Sequence, residues 1–443
     1  MTRQESLRTH AWWYAIATAL MTVTCAPHAA AATAPTPTVS GPVTRPGMMY
    51  PNPPISIVPG ATTVERFPYV TEEYFVSGTV NDAPYTTRII VRRPKDPSSF
   101  SGIVVAEALH ASGRSLIFEW SRVSILTRRH MFVEIVHSAA NLTLLKNFNA
   151  ERYASLAIAQ GQTNGVIAQV GALIKSRTGP FAQYKVQYAT LMGTSASSAT
   201  VRTYLGEHPN SRLANGGPIF DGFLLTSTLG NTPLPMVDVP IVQMPTQTEV
   251  VTYAAMGNGY RRPDSDDPGN RFRLYEVAGM PHNNSRDNPG FANDPCTLPV
   301  TDFPAGAFTA MGLNHLVDWI ARGKTPPRAP PIAVDKDATN DGSLLALDEH
   351  GNAKGGVRNV WVDVPIATYG VMGKGKTTAQ DRLCQLGGTE VPLSDAALKT
   401  LYPSSKDYAR RVDQRMKQLI AEGWFLPEYA DMVRGDVKAT TIP

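Results

Sequence analysis

The fold is decided by the stretch Tyr184–His208, which reads YKVQYATLMGTSASSATVRTYLGEH. It begins with an apolar, β-prone run, Val186–Met192, turns at Gly193–Ser197 and continues as a helix-compatible segment to about Leu205. A serine on a tight turn between a buried strand and a helix is typical of a catalytic nucleophile, since the helix N-terminus favours negative charge there. Small neighbours suit so crowded a turn. Ser195 is therefore the candidate nucleophile, and a serine-rich surface loop is the alternative.

Strand-like and helix-like segments alternate around this stretch. Two alternating runs, Glu73–Val80 and Tyr85–Val91, predict an antiparallel hairpin. The further predicted strands are Gly102–Leu109, Met131–Val136, Ile219–Thr226, Val239–Met244 and Phe272–Val277. The predicted helices are Leu116–Arg128, Asn164–Lys175 and a segment from Phe308 to Ile320 that ends at Gly323. This alternation indicates an α/β fold: a mostly parallel sheet, opened by the hairpin and covered on both faces.

Composition divides the 443 residues into four parts. Residues 1–33 combine early arginines, an apolar run and an alanine-rich tract, which predicts a secretory signal peptide; a retained N-terminal anchor is the alternative. Residues 34–60 are rich in Pro, Thr and Ser and predict an extended linker or wrapping arm. Residues 61–323 are predicted to form the α/β core, and residues 324–443 are expected to form a C-terminal extension packed on it.

The C-terminal extension carries two weaker patterns. Leu344–Leu347 and Val357–Val364 suggest a small hairpin, and the apolar spacing from Tyr408 to Leu419 predicts an amphipathic helix that ends near Gly423. Since only a short segment, Ser227–Asp238, separates the strands where a cap is often inserted, we expect part of this extension to cover the site instead.

Charge and cysteine content indicate which partners and which cellular compartment to expect. The net charge is only +4 and no Lys/Arg block is present, so neither nucleic acid nor an acidic membrane surface is indicated as a partner. After signal removal no stretch is long enough for stable membrane insertion, which predicts a secreted or periplasmic protein. Signal removal also leaves Cys296 and Cys384, an even pair that predicts one disulfide, with two free thiols as the alternative.

A serine hydroxyl needs a base within hydrogen-bonding reach and a carboxylate that orients the base. On this fold class the chain order is serine, acid, histidine, each at a strand end. His282 follows a predicted strand through a short loop, whereas His315 lies on an apolar helix face and His350 in a polar turn. Glu249 follows the run Val239–Met244, and the competing acids lie in a polar loop without a preceding strand: Asp264, Asp266 and Asp267. Ser195, His282 and Glu249 are the predicted triad.

An oxyanion hole needs two N–H donors. Ala196, directly after the nucleophile, is one candidate. The second is expected from the turn after strand Gly102–Leu109, at Ala111 or Ser112, with the side chain of His110 as an alternative.

Several runs together resemble a known family: Phe75–Gly78, Val104–Glu107, Gly193–Ser197, Thr246–Val250, Tyr275–His282, Gly355–Gly370 and Leu401–Ser404. They look like the secreted α/β-hydrolase domain-containing proteins of the serine esterase type, over roughly Thr71 to Asp431. The resemblance implies an α/β-hydrolase fold with Ser195, Glu249 and His282 as the triad, and it says little about the substrate. The chain departs from the usual pattern at Ala196–Ser198, where a glycine is common nearby.

The stretch Gly370–Thr377 fits G-x-x-x-x-G-K-[ST], the pattern of a phosphate-binding P-loop. Its context favours a glycine-rich surface loop, because it follows a proline and leads into a short segment that contains Cys384. Nucleotide binding at Lys376 is kept as an alternative.

The sequence therefore predicts an exported serine hydrolase that cleaves a small-molecule or polymer ester through an acyl-enzyme and requires no cofactor. Two alternatives remain: a non-catalytic binding protein on the same fold, and an acyltransferase or peptidase that uses the same triad.

Overall fold

The computed structural model describes residues 31–50, 67–257, 259–286, 288–335 and 344–443. The predicted signal peptide therefore lies outside the described residues except for its last three positions, and so does the second part of the predicted arm, residues 51–60. In the described ranges, no helix combines the length and the apolar character needed to span a bilayer.

Thirteen strands and eleven α-helices are seen in these ranges, apart from short 3₁₀ turns. The strands are β1 Ala32–Thr33, β2 Thr38–Ser40, β3 Tyr69–Val80, β4 Ala83–Pro94, β5 Ile103–Ala108, β6 Met131–Ile135, β7 Tyr188–Thr194, β8 Ser211–Arg212, β9 Gly222–Thr226, β10 Ile241–Met244, β11 Phe272–Leu274, β12 Ala367–Gly370 and β13 Thr389–Pro392. The helices are α1 Leu116–Thr127, α2 Ala139–Phe148, α3 Thr163–Lys175, α4 Ala196–Glu207, α5 Gln247–Ala255, α6 Ala305–Arg322, α7 Val360–Asp363, α8 Thr378–Leu386, α9 Asp395–Leu401, α10 Ser405–Glu422 and α11 Ala430–Ala439.

Nine strands form the central sheet, in the order β11-β10-β9-β7-β5-β6-β4-β3-β2. The six strands from β11 to β6 are parallel to one another, and β4, β3 and β2 add to one edge in antiparallel fashion. The predicted mostly parallel sheet with an antiparallel hairpin is confirmed. Because parallel strands all end at the same edge, the loops after β5, β7, β10 and β11 converge there.

The hairpin β3–β4 turns through Asn81 and Asp82, which have φ angles of 52° and 58°. A two-residue turn with both angles positive matches the right-handed twist of the flanking strands, and asparagine and aspartate tolerate this region better than most residues.

Each face of the sheet is covered by helices, because the strand side chains alternate between two apolar clusters. On one face, Val105, Met192 and Val242 pack with α1 and α6. On the other face, Val104, Leu191 and Ile241 pack with α3 and α4. The sheet is thus buried on both sides, as the near-continuous apolar runs predict.

The C-terminal extension joins the first of these clusters. Phe425, Tyr429 and Met432, at and beyond the end of α10, pack among the buried residues of α1 and α6. The Tyr429 hydroxyl lies 3.5 Å from the carbonyl oxygen of Trp120. The expected amphipathic helix is α10, and it ends at Gly423 with a φ of 85°.

The predicted hairpin of Leu344–Leu347 with Val357–Val364 is wrong. Residues 360–363 form α7, because the Asn359 side chain accepts hydrogen bonds from the N–H groups of Trp361 and Val362 and so starts a helix. Leu347 instead makes a single bridge to Ala353, and the hairpin of this region is β12–β13.

The N-terminal arm, residues 34–50, lies along the edge of the sheet. Strand β2 pairs with β3, and the buried Arg152 guanidinium donates to the carbonyl oxygens of Val43 and Gly47, at 2.6 and 3.0 Å. The positive charge of Arg152 is balanced by the buried Glu73 carboxylate. Charge-assisted hydrogen bonds of this kind hold the described part of the arm on the core.

Candidate active site

Ser195 stands between β7 and α4 in a conformation that is rare for a residue with a side chain. Its φ is 50° and its ψ is −118°. Such backbone strain costs on the order of 1–3 kcal/mol and is typical of functional sites. Its N–H donates to the carbonyl oxygen of Thr226 at 3.1 Å, which fixes the turn to the neighbouring strand. The side chain is partly exposed at the sheet edge.

The neighbours of Ser195 explain how this chain forms the turn. A Cβ on Gly193 would lie 2.4 Å from the carbonyl oxygen of Ser197, so only glycine fits there. The Ser197 hydroxyl accepts from the N–H of Thr194 and donates to its carbonyl oxygen, both at 2.9 Å. The Ser198 hydroxyl donates to the carbonyl oxygens of Gly193 and Thr226. Ser197 and Ser198 stand where a glycine is common nearby, and their side-chain hydrogen bonds stabilise the turn.

A series of backbone hydrogen bonds links the strand ends from Ser195 towards His282. After the bond from Ser195 to β9, the N–H of Ser227 donates to the carbonyl oxygen of Met244 at 2.9 Å. The N–H of Gln247 then donates to the carbonyl oxygen of Met280 at 2.8 Å. The loops that carry the three predicted triad residues are thus aligned along one edge of the sheet.

Glu249 and His282 are in direct contact. The His282 Nδ1 atom lies 2.5 Å from Oε1 of Glu249, and the His282 N–H donates to the Thr248 hydroxyl at 3.1 Å. The second carboxylate oxygen of Glu249 accepts from the N–H and the hydroxyl of Thr246, at 2.8 and 2.7 Å. Glu249 thus lies in the first turn of α5, in a capping box.

The charges of this pair shift both pKa values. Burial opposes ionisation of Glu249, but the His282 charge and the hydrogen bonds from His282 and Thr246 outweigh it and hold the carboxyl pKa below its usual range. Burial disfavours the His282 imidazolium, but the Glu249 carboxylate outweighs burial and raises the pKa of His282. The carboxylate therefore stays ionised and stabilises a protonated imidazole.

The Ser195 hydroxyl makes no hydrogen bond within the described ranges, and neither does Nε2 of His282. The structure thus brings Glu249 and His282 together and leaves Ser195 on the same edge, without a hydrogen bond to His282. Catalytic hydrogen bonds are often long before substrate binds, so this spacing is compatible with a nucleophile and its base.

The competing residues have other contacts. Asp264 accepts from the N–H of Leu274, and Asp266 pairs with Arg273 and Arg328. The ring of His315 lies in the core, with Nε2 2.9 Å from the carbonyl oxygen of Gly423. His350 belongs to a turn of the C-terminal extension, where its N–H donates to Asp348.

The turn after β5 lies beside Ser195. Glu107 of β5 pairs with Met192 of the neighbouring parallel strand β7, so the turn that contains His110 and the turn that contains Ser195 follow adjacent strand ends. The Ser112 N–H already donates to Nδ1 of His110 at 3.1 Å. The Ala111 N–H has no partner in the described ranges and Ala111 is exposed. Of the two predicted donors, the N–H of Ala111 is therefore available to an oxyanion, whereas the N–H of Ser112 is already hydrogen-bonded.

His110 itself is a polar group that the sequence left undecided. Because Nδ1 accepts the Ser112 N–H, the proton of the neutral ring belongs on Nε2. This Nε2 is buried and lacks a hydrogen-bond partner in the described ranges. Burial, with a smaller effect from the charge of His282, lowers the pKa of His110 to about 4, so the ring is neutral at pH 7.

Ala196 occupies the first position of α4, where a backbone N–H has no partner within the helix. It is exposed at the same edge as Ser195. With the Ala111 N–H, it gives two donors of the kind that stabilises an oxyanion.

Thr246 is the site residue that sequence reasoning missed. Its side chain and backbone hold one oxygen of Glu249, which leaves the other oxygen directed at His282. The signal was present as Thr246-x-x-Glu249, the T-x-x-E pattern of a capping box directly after a strand.

The P-loop-like stretch Gly370–Thr377 connects β12 to α8, but its N–H groups are already engaged. Gly375 donates to Asp381, Lys376 to the carbonyl oxygen of Pro295 and Thr377 to the Gln380 side chain, at 2.9 to 3.1 Å. The Lys376 ammonium pairs with Asp294 at 2.5 Å. A phosphate would have to displace these contacts, so the stretch is a structural turn.

The same segment flanks His282. A disulfide joins Cys296 to Cys384 of α8, and the N–H of Asn283 donates to the carbonyl oxygen of Leu386 at 2.9 Å. The part of the extension around α8 thus lies beside His282, whereas the buried residues of α10 and α11 belong to the same apolar cluster as those of α1 and α6. Among the described residues, no hydrogen bond or ion pair links the extension to Ser195.

No cluster of three or more His, Cys, Asp or Glu side chains with the spacing of a metal site occurs in the described ranges.

Comparison with known proteins gives a family match over most of the chain. The family described as "Alpha/beta hydrolase domain" matches residues 32–434. No curated protein matches the sequence.

Solved structures resemble only part of the chain. Esterase Est22 is 9% identical and covers 50% of this chain and 73% of its own, with a TM-score of 0.33. A cold-adapted esterase from an Arctic intertidal metagenomic library is 10% identical over 46% of this chain and 84% of its own, with a TM-score of 0.25. Oligopeptidase B from Leishmania major is 12% identical over 56% of this chain and 37% of its own, with a TM-score of 0.32. Such values carry no argument about activity.

The family match spans the central sheet, the turn at Ser195 and the loop of His282, and it extends through most of the C-terminal region. The chain belongs to the α/β-hydrolase family.

Proposed function

We propose that this protein is an exported serine hydrolase that cleaves carboxylic esters with Ser195 as nucleophile, His282 as base and Glu249 as the orienting acid. The observation that carries the proposal is the 2.5 Å contact between His282 Nδ1 and Glu249 Oε1, on the sheet edge that also holds the strained Ser195. A histidine whose one nitrogen is fixed by a buried carboxylate has its other nitrogen free to accept a proton.

In the proposed reaction the Ser195 Oγ attacks the ester carbonyl carbon while Nε2 of His282 takes the hydroxyl proton. Glu249 accepts a hydrogen bond from the Nδ1–H group of His282 and so stabilises the imidazolium. His282 then gives the proton to the leaving alcohol, and the acyl group remains on Ser195. A water molecule, deprotonated by His282, attacks the acyl-enzyme and releases the acid. These steps use only side chains, backbone N–H groups and water, so no cofactor is required.

The negative charge of the tetrahedral intermediate is placed between the N–H groups of Ala196 and Ala111. Each such donor contributes on the order of 10²–10³-fold in kcat when it is aimed at the developing oxyanion. The Nε2 proton of His110 is a third candidate, because it is buried beside this turn without a partner in the described ranges. Its neutral ring would donate without adding charge to the site.

Export is part of the proposal. The sequence pattern of residues 1–33 motivates it, and the Cys296–Cys384 disulfide supports it, since disulfides persist mainly in oxidising compartments. The expected substrate is an ester, either a small molecule or a polymer.

A fluorophosphonate probe tests the catalytic part. The mature wild-type protein is expected to be labelled, and Ser195→Ala is expected to lose all labelling. Ser285→Ala, an exposed serine three residues after His282, is the matched control and should label like the wild type. Absence of labelling in folded wild-type protein would favour a non-catalytic binding function.

A second assay separates ester hydrolysis from the other uses of the same residues. Aryl esters of increasing acyl length are compared with the matching anilides, and then with the same esters in the presence of an added alcohol. Faster cleavage of esters with water as acceptor supports the proposal. Preferred cleavage of anilides indicates a peptidase, and preferred transfer to the alcohol indicates an acyltransferase.

A further inference from the structure

A cavity of about 410 Å³ lies between the hairpin β12–β13 and the helices of the C-terminal extension. Its apolar wall is formed by Trp361, Val364, Ile366, Val412 and Val437. It is a separate feature from the candidate active site, since neither Ser195, His282 nor Glu249 lines it. A ligand pocket of this size combines apolar walls with a few placed polar groups, and this cavity has both.

Two buried tyrosines line the cavity with unused hydroxyl groups. Tyr369 is 2% exposed and Tyr408 is 7% exposed. Neither hydroxyl has a hydrogen-bond partner within the described part of the chain. Neither hydroxyl atom is itself fully buried, so both are accessible from the cavity and open to a ligand there.

The Tyr369 side chain is next to a carboxylate. Tyr369 of β12 is the direct partner of Glu390 of β13, and side chains of directly paired residues lie on the same face of a sheet. Glu390 also lines the cavity and accepts a hydrogen bond from the Thr301 hydroxyl at 3.0 Å.

Negative charge exceeds positive charge around the cavity. Asp302, Glu390 and Asp436 all line it, and Arg286 bridges Asp302 and Asp436 at 2.8 and 2.9 Å. Glu390 makes no ion pair among the described residues, and the Arg286 charge acts on it only from beyond ion-pair distance. Burial and the nearby Asp302 raise the pKa of Glu390 and outweigh the opposing effects of its hydrogen bonds to Thr301 and Asp302 and of the Arg286 charge.

A metal ion does not fit this arrangement, because no three carboxylates in the described ranges are close enough to ligate one ion. An organic cation fits better. Its ammonium group pairs with Glu390 and donates hydrogen bonds to the two hydroxyl oxygens, while its apolar part contacts Trp361 and the aliphatic wall. Aromatic rings such as those of Trp361 and the tyrosines also attract cations through their faces.

We propose that this cavity binds an organic ammonium ion with an apolar group, with Glu390 as the counter-ion and the Tyr369 and Tyr408 hydroxyls as hydrogen-bond acceptors. The proposal is independent of the esterase assignment. The cavity is connected to the loop that precedes His282 through the side chain of Gln247. The Gln247 side-chain nitrogen donates to the carbonyl oxygen of Tyr369, and its side-chain oxygen accepts from the N–H of Gly279.

Calorimetric titration of the mature full-length protein with phenethylammonium tests the proposal. Saturable one-to-one binding is expected, and the neutral analogue 2-phenylethanol should bind at least about tenfold more weakly, because it lacks the charge-assisted bond to Glu390. The anionic analogue 3-phenylpropionate should show no saturable binding.

Variants locate the site. Glu390→Gln should weaken phenethylammonium binding by about tenfold or more, whereas Asp431→Asn, an exposed carboxylate on α11, should leave it unchanged. Val437→Phe fills the cavity and should abolish binding with Glu390 intact. Ser195→Ala should bind like the wild type, which separates this site from the catalytic one.

Three results would overturn the proposal: equal binding of phenethylammonium and 2-phenylethanol, wild-type affinity in a folded Glu390→Gln or Val437→Phe protein, or no saturable binding by the wild type. Circular dichroism and thermal unfolding check that each variant is folded. If Glu390→Gln does not fold, Tyr369→Phe replaces it, because it removes one hydroxyl and keeps the ring.

Discussion

Two turns of this molecule each lead from a strand into a helix, and they differ in which backbone N–H groups remain unpaired. Gly193–Ser197 connects β7 to α4, and Gly370–Thr377 connects β12 to α8. The first holds Ser195 at positive φ and leaves the N–H of Ala196 at a helix start. The second uses its N–H groups on Asp381, Pro295 and Gln380. A glycine-rich turn can bind an anion only if its donors remain unpaired, and the motif alone does not decide this.

The largest expected effect comes from the first turn. Ser195→Ala should lower kcat for a good ester substrate by about 10⁴–10⁶-fold, because the nucleophile is lost while the donors that bind the oxyanion remain. Steady-state kinetics on purified protein measures it. A loss below about tenfold would contradict the difference between the two turns, since Ser195 would then be an ordinary turn residue.

The next largest effect concerns the acid that orients the base. Glu249→Gln should lower kcat by about 10⁴-fold, because a glutamine amide cannot stabilise the His282 imidazolium. Glu276→Gln, at a buried carboxylate that pairs with Arg261, is the matched control and should change stability more than kcat. The reverse pattern would identify Glu276 as the acid.

The same variant should change the pH profile. The base must be neutral, so kcat/KM is lost as pH falls through the pKa of His282, which Glu249 raises above the usual value near 6.5. In Glu249→Gln, burial and the charge of Arg382 remain, and both lower the pKa of His282. The acidic limb of kcat/KM should therefore move to lower pH. An unchanged limb would show that Glu249 does not face the titrating base.

Hydrogen bonds within the two turns should differ in their contribution to stability. Ser197→Ala leaves the buried N–H of Thr194 without its partner and should lower the free energy of unfolding by about 1–3 kcal/mol. Thr377→Ala changes an exposed helix cap and should cost about 0.5–2 kcal/mol. Chemical denaturation compares the two. A larger cost for Thr377→Ala would reverse the order.

The smallest effect is expected at the second turn. Lys376→Ala removes an exposed ion pair with Asp294, and such pairs contribute about 0–1 kcal/mol. Activity should stay within the error of the assay, and ATP with magnesium should not shift the thermal midpoint of wild type or variant. A shift seen only in the wild type would restore the phosphate-binding interpretation.

Much of the fold was predictable because burial leaves a simple pattern. The strands of the parallel sheet lie between two helical layers, so each appears as a continuous apolar run, and β5, β6, β7 and β9 begin and end within a few residues of their predicted limits. The elements that failed depend on single polar side chains. Asn359 starts α7 within a β-branched run, and Ser138 caps α2, a helix of mixed composition that no periodicity revealed.

The candidate site was predictable in order but not in geometry. The succession of serine, acid and histidine at strand ends follows from the topology, since parallel strands end at one edge. The role of each donor could not be inferred, because it depends on which N–H groups are already paired. Ser112 and Ala111 are adjacent and chemically similar, yet only the Ser112 N–H is engaged, by a ring nitrogen of His110.

Glu249 joins two requirements that proteins usually keep apart. One oxygen helps to begin a helix and the other orients the histidine, so most substitutions there should lower stability and activity together, whereas glutamine keeps the capping box and removes only the charge. Natural variation at this position should therefore be accompanied by changes at Thr246. In directed evolution, Glu249 and Thr246 would best be varied together, because single substitutions that break the capping box should lower stability as well as activity.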